Sequence, residues 1–317
     1  MRIIIVLLFI SNTYFLFSQS NTYNTPKREF KNEKQNNTYL LDNDTQIGIT
    51  MTKLNASSYF DMDNNIVTTL VDTNYMNKYD RIYTFELEQL TLMLSAQQKI
   101  FDNLMLQMNL PISHYSLNEK YGTFYDSTSK TTLPKQDKAN YSLFVFDYLE
   151  TNAIYSIFQG QFDASLSLAF RLPFGGEYGV ARNQGEFWSN NSIELQPNMN
   201  FAMNFEKFNV ALSLGYNHRT EDLKDEFISE LQIGLYSIPD TYISANLKWA
   251  TPIISFDNAL PFSIRNEPNM ENYLQADVLC GVLLSEDIGI NFSYTIKLLG
   301  RNSWNYYGYN VGLFYNL

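Results

Sequence analysis

The chain has 317 residues, of which 45% are hydrophobic, 15% aromatic and 17% charged, and its formal net charge is −11. A chain this apolar is not expected to be disordered, and an acidic chain without clustered cations is not a typical nucleic-acid-binding protein. With one cysteine and two histidines, the sequence excludes an internal disulfide framework and a Cys/His zinc cluster. We therefore expect no nucleic-acid partner, no cofactor and no metal site.

The N-terminal segment has the pattern of an export signal. Met1 and Arg2 precede an unbroken apolar run at residues 3–10, and a second short apolar stretch ends just before Ser18. The run is shorter than the roughly 20 residues that a transmembrane helix needs. Residues 1–18 are therefore predicted to be a cleaved signal peptide, with a retained N-terminal anchor as the alternative. Residues 19–44 are polar and are predicted to form a flexible leader.

From residue 45 onward, apolar residues recur at every second position, which is the period of a β-strand with two different faces. In residues 208–219, for example, Val210, Leu212, Leu214 and Tyr216 alternate with polar or small residues. Helical spacing does not occur over a comparable length. The pattern predicts twelve strands, at residues 45–59, 79–98, 104–116, 141–158, 162–172, 191–205, 208–219, 226–238, 241–254, 272–284, 288–299 and 305–317.

The connections between these strands alternate in length. Short connections are predicted at residues 100–103, 159–161, 206–207, 239–240 and 285–287, and longer ones at residues 60–78, 117–140, 173–190, 220–225, 255–271 and 300–304. Hairpins with tight periplasmic turns and larger outer loops give this alternation, and single-chain bacterial barrels have an even number of strands. Residues 45–317 are therefore predicted to form one all-β, antiparallel transmembrane β-barrel with both termini in the periplasm.

A soluble β-sandwich would also show alternation, so it is the main structural alternative. The apolar faces here extend over about nine to thirteen residues, which is longer than the usual five or six in soluble sheets. Aromatic residues gather at strand ends, as in the interfacial girdles of membrane barrels.

The alternation of apolar and polar residues shifts by one position between Leu87 and Leu90 and again near residues 148–152. These two shifts predict two β-bulges.

The C-terminal strand carries a second signal. Tyr309, Val311, Leu313, Tyr315 and Leu317 alternate up to the last residue. This pattern resembles the terminal strand that the outer-membrane assembly machinery recognises, except that the final position is Leu rather than an aromatic residue. The resemblance implies that this machinery is a partner during insertion.

Two further resemblances concern the family. The signal ending in Phe-Ser-Gln and the Asn- and Tyr-rich strands resemble outer-membrane barrels of the Bacteroidota. The segments Arg-Leu-Pro-Phe-Gly-Gly at 171–176, Asn-Gln-Gly at 183–185 and Leu-Gly-Tyr at 214–216, followed by Arg219, resemble the transporter-type barrels of the "MetA-pathway of phenol degradation" family. The match covers about residues 160–250. It implies a channel for small molecules, including hydrophobic ones.

Charged residues at inward-facing positions are the candidates for solute selection. The predicted inward acids include Glu86, Glu88 and Asp163. The selectivity candidates are Arg171, Glu194, Arg219, Glu230, Lys248, Asp277 and Lys297. Rings of charge set the selectivity of a pore, but paired charges can also simply fill the interior of a narrow barrel. The sequence leaves both interpretations open.

One short segment resembles a hydrolase site. His114 and Ser116 lie two apart on a predicted strand and therefore share a face, as in the outer-membrane phospholipase family. The Gly-Arg of that family is absent, and no residue can be assigned to orient the imidazole. The sequence predicts a passive outer-membrane channel or transporter for small molecules. The alternatives are an accessory barrel of a larger complex and a lipid-active enzyme at the rim.

Overall fold

The computed structural model describes residues 45–61, 63–68, 70–72, 79–126, 131–133, 137–174, 192–205, 207–220, 224–238, 240–253, 271–285 and 287–317. The predicted signal peptide (1–18) and leader (19–44) lie outside the described residues. Within these ranges no helix is long and apolar enough to cross a membrane.

The described residues form a single sheet. Its strands are β1 (Thr45–Phe60), β2 (Ile66–Val67), β3 (Leu70–Asp72), β4 (Tyr79–Phe101), β5 (Leu104–Asp126), β6 (Thr131–Leu133), β7 (Asp137–Phe146), β8 (Tyr148–Phe158), β9 (Phe162–Pro173), β10 (Glu194–Asn204), β11 (Phe208–Arg219), β12 (Glu226–Ile238), β13 (Thr241–Pro252), β14 (Asn272–Leu283), β15 (Ile288–Arg301) and β16 (Ser303–Asn316). The short strands β2, β3 and β6 extend the hairpin loops. β7 and β8 together occupy one position in the wall.

The sheet closes on itself because β1 has two long neighbours. It pairs with β16 from Gln46↔Asn316 to Phe60↔Ser303, and with β4 from Thr45↔Gln98 to Ala56↔Leu87. All neighbouring strands are antiparallel, and the remaining order follows the chain from β4 to β16. The result is a closed barrel of twelve strand positions, which confirms the predicted architecture. Closure removes the open edges that β1 and β16 would otherwise present.

The two faces of the wall have opposite chemistry. On β13, Ser244, Asn246 and Lys248 are buried, whereas Leu247 and Trp249 are each 44% exposed. The same alternation occurs around the barrel. A soluble protein buries its apolar residues, so this inverted arrangement is that of a wall surrounded by lipid with a polar interior.

One of the two predicted bulges is present and the other is not. Between the pairs Ile112↔Phe146 and Asn109↔Glu150, the β7/β8 side has one residue more than β5, and Asp147 is where the two strands separate. Pro111, which has no N–H to offer a ladder, lies opposite, and its carbonyl accepts a hydrogen bond from the Asp147 amide at 3.2 Å. This bulge confirms the slip predicted near residues 148–152.

The prediction of a β-bulge between Leu87 and Leu90 is wrong. Pairing between β1 and β4 continues there without a shift, and Leu87 is buried on the inner face. Glu86 and Glu88 therefore lie on the outer face, not in the interior as predicted. Glu88 forms an ion pair with Lys53 of β1 at 2.6 Å, and both side chains are about half exposed.

The last long connection, predicted at residues 300–304, is also different. β15 continues to Arg301 and β16 begins at Ser303, so the connection is a tight turn at Asn302, whose φ is 52°. Asparagine tolerates this left-handed conformation better than most residues. The hairpin is therefore closed by a turn where a loop was expected.

The first loop is fastened to this turn at the seam between β1 and β16. The Asn302 amide donates to the Asp61 carbonyl at 3.2 Å, and the Gly300 amide donates to Asn64 Oδ1 at 2.9 Å. Asp61 Oδ1 also accepts the amides of Asp63 and Asn65. Slight burial raises the pKa of Asp61, but hydrogen bonds from Asn65 and Asp63 outweigh it and hold the pKa below its usual value.

The two chain ends of the barrel meet at its other end. The Leu317 amide donates to the Thr45 carbonyl at 2.9 Å, and the Gln46 side chain donates to Asn316 Oδ1 at 2.7 Å. The short connections between β4 and β5, β8 and β9, and β10 and β11 are at this same end. We call it the turn end, and the opposite end, where Asn302 lies, the loop end.

Candidate functional site in the barrel interior

The structure places all seven selectivity candidates at buried, inward-facing positions on consecutive strands from β9 to β15. None is more than 9% exposed. They are Arg171 on β9, Glu194 on β10, Arg219 on β11, Glu230 on β12, Lys248 on β13, Asp277 on β14 and Lys297 on β15. Asp163 is buried too, but it lies at the turn end, where it accepts hydrogen bonds from the Gly160 amide and the Asn204 side chain.

Three further carboxylates join this set. Glu150 on β8 and Glu226 on β12 are buried, and Glu271, one residue before β14, is within 3.7 Å of Lys297. The bulge at Asp147 changes which alternate residues of β8 face inward, so the alternation of the sequence did not identify Glu150. Glu226 is four residues before Glu230 on the same strand and therefore faces the same way, so the alternation could have identified it. The charged belt is defined here as Glu150, Arg171, Glu194, Arg219, Glu226, Glu230, Lys248, Glu271, Asp277 and Lys297.

The belt begins with a ladder of alternating charge. Glu150, Arg171, Glu194 and Arg219 are successive register partners across β8, β9, β10 and β11. The two terminal nitrogens of Arg171 contact Glu150 Oε2 at 2.8 Å and Glu194 Oε2 at 2.9 Å. Its guanidinium also lies 4.2 Å from the centre of the Tyr148 ring. Opposite charges and hydrogen bonds of this kind compensate the cost of burying each group.

Each of the two carboxylates of the ladder also accepts a hydrogen bond from an amide side chain. Asn109 Nδ2 on β5 donates to Glu150 Oε1 at 2.9 Å, and Asn217 Nδ2 on β11 donates to Glu194 Oε2 at 3.2 Å. Both carboxylates therefore have an amide donor in addition to the Arg171 guanidinium. Since carboxylates buried without donors are costly, these amides lower the cost of burying the ladder.

The belt continues along β11 to β15. Arg219 Nη2 contacts Glu226 Oε1 at 3.0 Å, and Glu230 and Lys248 are register partners. Asp277 accepts hydrogen bonds from Thr295 at 2.5 Å and from Gln275 at 3.0 Å. Every part of the belt therefore has polar or oppositely charged neighbours.

Lys297 has a long ion pair and two aromatic neighbours. Its ammonium lies 3.7 Å from the nearest Glu271 oxygen. It also lies 4.3 Å from the centre of the Tyr273 ring and 4.6 Å from that of Tyr306. The two rings supply cation–π stabilisation where the ion pair is long.

The predicted hydrolase segment has a different contact from the one expected. His114 and Ser116 lie on the outer face of β5, as their spacing predicts. His114 Nε2, however, hydrogen-bonds Ser142 Oγ on β7 at 2.7 Å. Among the described residues, no further group hydrogen-bonds this imidazole. The same residues contain no group of His, Cys, Asp and Glu arranged to hold a metal ion.

At the loop end of the charged strands, Asp225 connects β11 to β12. Its carboxylate accepts hydrogen bonds from the Tyr216 hydroxyl, from the Arg219 amide at 3.1 Å and from His218 Nδ1 at 3.1 Å. Partial burial raises the pKa of Asp225, but these donors outweigh it and lower the pKa below its usual value. The carboxylate is thus charged over the ordinary pH range and holds the rim of this hairpin.

A closed antiparallel sheet with a charged interior and an apolar exterior defines a transmembrane β-barrel of the outer-membrane type. No protein-family model and no curated protein matches this chain. Among solved structures, the COG4313 outer membrane channel from Pseudomonas putida F1 is similar, with 11% identity and a TM-score of 0.54 over 87% of this chain and 96% of that chain.

Two other solved structures match with lower scores. The KdgM porin in complex with disordered oligogalacturonate has 10% identity and a TM-score of 0.45, over 86% of this chain and 99% of that chain. The Pseudomonas putida toluene transporter TodX has 8% identity and a TM-score of 0.45, over 88% of this chain and 91% of that chain. At the identity of the COG4313 channel, the similarity shows the fold: the chain has the architecture of an outer-membrane barrel.

Proposed function

We propose that the protein is a passive outer-membrane channel or transporter for small molecules. The main observation behind the proposal is the polarity of the barrel wall. The closed barrel buries charged and amide side chains inside and exposes large apolar side chains outside. Such a wall isolates a polar interior from the lipid, which is the requirement for moving a solute through it. The similarity to the COG4313 channel supports the same conclusion.

We further propose that Arg171, Glu194, Arg219, Glu230, Lys248, Asp277 and Lys297 determine which solutes pass. The belt to which they belong holds six carboxylates and four cationic side chains. An excess of carboxylates attracts cations and raises the energy of anions in a confined interior. The function proposed is therefore that of a cation-preferring path rather than of a general pore.

Single-channel recording tests this proposal. The mature protein, residues 19–317, is refolded and inserted into a planar bilayer, and the reversal potential is measured in a KCl gradient. We expect discrete conductance steps with a preference for K⁺, because of the excess of carboxylates. Glu230→Gln should reduce the preference, whereas Glu88→Gln, which removes an acid from the outer face of the wall, should leave it unchanged.

Two results would contradict the proposal. Silence from a barrel that is folded, as judged by heat-modifiable migration in electrophoresis, would exclude a passive open path. Conductance with equal effects of Glu230→Gln and Glu88→Gln would keep the channel, but would show that the belt only fills the interior.

We also propose the topology and origin that the sequence suggested. Residues 1–18 are removed on export, residues 19–44 remain as a leader, residues 45–317 insert through the assembly machinery by the C-terminal strand, and both termini face the periplasm. The pairing of Leu317 with Thr45 at the turn end supports a common side for the termini. N-terminal sequencing and protease accessibility of a C-terminal tag on whole cells test these points.

The assignment to a Bacteroidota barrel of the "MetA-pathway of phenol degradation" type remains a proposal, supported by the motif at 171–176, which begins at the belt residue Arg171. A multiple alignment of homologues tests it. The proposal fails if the positions of Arg171 and Arg219 do not align with that family's motifs.

A further inference from the structure

The outer face of β1, β4, β5 and β7 changes its chemistry along the strands. One row of register partners is entirely apolar and consists of Met51, Leu92, Ile112 and Phe146. Four residues nearer the loop end, the corresponding row is entirely polar and consists of Asn55, Glu88, Ser116 and Ser142. Glu86 and Asn118, which are register partners, continue the polar surface toward the loop end. The outer face of this part of the wall is therefore apolar only up to a defined level.

The inner face of β1, β4 and β5 changes in the opposite sense over the same stretch. The inner row below the change is polar and buried, and consists of Thr52, Thr91 and Ser113. Four residues nearer the loop end, the inner row is apolar and buried, and consists of Ala56, Leu87 and Leu117. The pairing of β4 with β1 and β5 continues between these rows without a register shift. Each strand therefore keeps its orientation while the polarity of its two faces is exchanged.

A change in the surroundings of the wall explains this exchange. A sheet surrounded by water buries apolar side chains and exposes polar ones, whereas the wall of a membrane barrel faces lipid with apolar side chains. The level at which the two faces exchange their polarity therefore corresponds to the level at which lipid outside the wall gives way to water. It also explains why the alternation in the sequence shifts between Leu87 and Leu90 although no bulge is present.

Strand length is a second, independent observation. β4 and β5 have 23 residues each, whereas β10, β11, β12 and β13 have 11 to 13. A tilted strand crosses a bilayer with about 9–11 residues, so residues 90–101 of β4 are enough for one crossing. The remaining residues 79–89, at a rise of about 3.3 Å per residue and a tilt of about 45°, extend roughly 25 Å further.

The ion pair on the outer face is a third observation. Lys53 and Glu88 are 2.6 Å apart and about half exposed, at the level where the outer face becomes polar. Charged side chains on the lipid-facing side of a barrel are costly within the hydrocarbon layer and much less so near its boundary. On the opposite side of the barrel the outer face stays apolar close to the loop end, with Phe227 on β12 and Trp249 on β13 both exposed.

We infer that β1, β4, β5 and β7 leave the bilayer at the mixed row between the apolar and the polar one, and that their loop-end parts form a sheet that projects into water. The mixed row consists of Lys53, Leu90, His114 and Phe144. Below it the outer face contacts lipid. Above it the outer face contacts water and can be reached by soluble macromolecules, while the inner row of Ala56, Leu87 and Leu117 forms a small apolar core. This inference goes beyond the proposed function and does not depend on conduction.

Spin labels on single cysteines test the inference in lipid vesicles. Cys280→Ser removes the one native cysteine, and Glu86→Cys, Glu88→Cys and Leu92→Cys each place a nitroxide on the outer face of β4. Collisions with a water-soluble nickel chelate and with oxygen, which partitions into lipid, are measured by electron paramagnetic resonance. We expect the nickel chelate to be favoured at positions 86 and 88 and oxygen to be favoured at position 92, so that the ratio of the two collision rates reverses between 88 and 92.

A label at position 87 tests the inner face of the projecting sheet. With Leu87→Cys we expect an immobilised nitroxide that neither the nickel chelate nor oxygen reaches well, because Leu87 is buried. If Leu87→Cys does not give a heat-modifiable barrel, Ala56→Cys, its register partner on β1, makes the same test. Glu88→Cys is the matched control, since it lies on the next residue of β4 and on the opposite face.

Arginine substitutions give a second measurement that needs no label. Leu94→Arg, on the lipid-facing side of β4, should lower the urea midpoint of the barrel in vesicles, because it places a charge in the hydrocarbon layer. Asn118→Arg, on the outer face of the projecting part of β5, should leave the midpoint unchanged.

Three results would overturn the inference. Oxygen favoured at positions 86 and 88 would show that these strands stay in the bilayer. Equal access of the nickel chelate to positions 87 and 88 would show that the inner face of the sheet is hydrated and has no apolar core. Equal losses for Leu94→Arg and Asn118→Arg would show that both positions are in the same surroundings.

Discussion

The two arcs of the inner wall bury polar groups by different means. The arc from β8 to β15 uses cross-strand ion pairs, of which the contact of Arg171 with Glu150 and Glu194 is the densest. The arc from β16 through β1, β4 and β5 uses uncharged hydrogen bonds, such as Thr91 with Ser113 at 2.8 Å and Gln97 with Gln46 at 3.2 Å. The two arcs differ in what a single substitution costs, since an unpaired buried charge is far more expensive than an unpaired hydroxyl.

The largest effect is expected from Arg171→Met on the charged arc. The variant leaves Glu150 and Glu194 buried without their cation, and we expect a loss of about 3–5 kcal/mol in the free energy of unfolding. Urea unfolding in lipid vesicles measures it. Lys53→Met, which breaks the half-exposed outer pair with Glu88, is the control and should cost about 0–1 kcal/mol. Equal losses would show that the buried ion pairs of the belt cost no more to break than an exposed pair.

A smaller effect is expected from Thr91→Val on the uncharged arc. The change keeps the shape of the buried side chain but removes its hydrogen bonds with Ser113 and Gln89. Ser113 retains its contact with Asp147, and Gln89 retains its contact with Tyr115. We expect a loss of about 1 kcal/mol, measured by the same unfolding experiment. A loss as large as that of Arg171→Met would remove the distinction between the arcs.

The junction of β1 with the β15–β16 hairpin, in the uncharged arc, allows a third comparison, between its loop end and its turn end. Asn64→Ala deletes the side-chain acceptor of the Gly300 amide and should cost about 1 kcal/mol or less, because water can replace it at the rim. Hydrogen exchange of the Gly300 amide should become faster, while the amides at the turn end of the same seam, such as Leu317, keep their protection. Unchanged exchange at Gly300 would mean that this contact does not hold in solution.

The smallest effect concerns pH at the rim of the charged arc. The folded-state pKa of Asp225 is lowered, so its carboxylate contributes stability above its unfolded pKa of about 3.9, and this contribution is lost as the pH falls through the lower folded value. Asp225→Asn should therefore reduce the difference in urea midpoint between pH 5 and pH 3. An identical pH dependence in both proteins would contradict the assigned contacts with Tyr216 and Arg219.

The sequence predicted the barrel because the alternation in segments such as 208–219 depends only on neighbouring residues and on lipid outside the wall. It predicted a bulge near residues 148–152 but missed Glu150, because the exact position of the bulge, at Asp147, depends on Pro111 on another strand. It misplaced Glu86 and Glu88 because apolar residues were taken as outward everywhere. Leu87 departs from that rule, because it is buried on the inner face of β4.

The hydrogen bonds between the first loop and the last turn have a consequence for the order of assembly. Asn64 and Gly300 are 236 residues apart in the chain, so their contact forms only when the final hairpin has been synthesised and docked. A chain that ends before β15 lacks the partners of Asn64 and of the Asp61 carbonyl, and a chain that ends before β16 also leaves β1 with an open edge. The contact between Asn64 and Gly300 therefore belongs to the last stage of closure, together with the pairing of β1 with β16 that seals the ring.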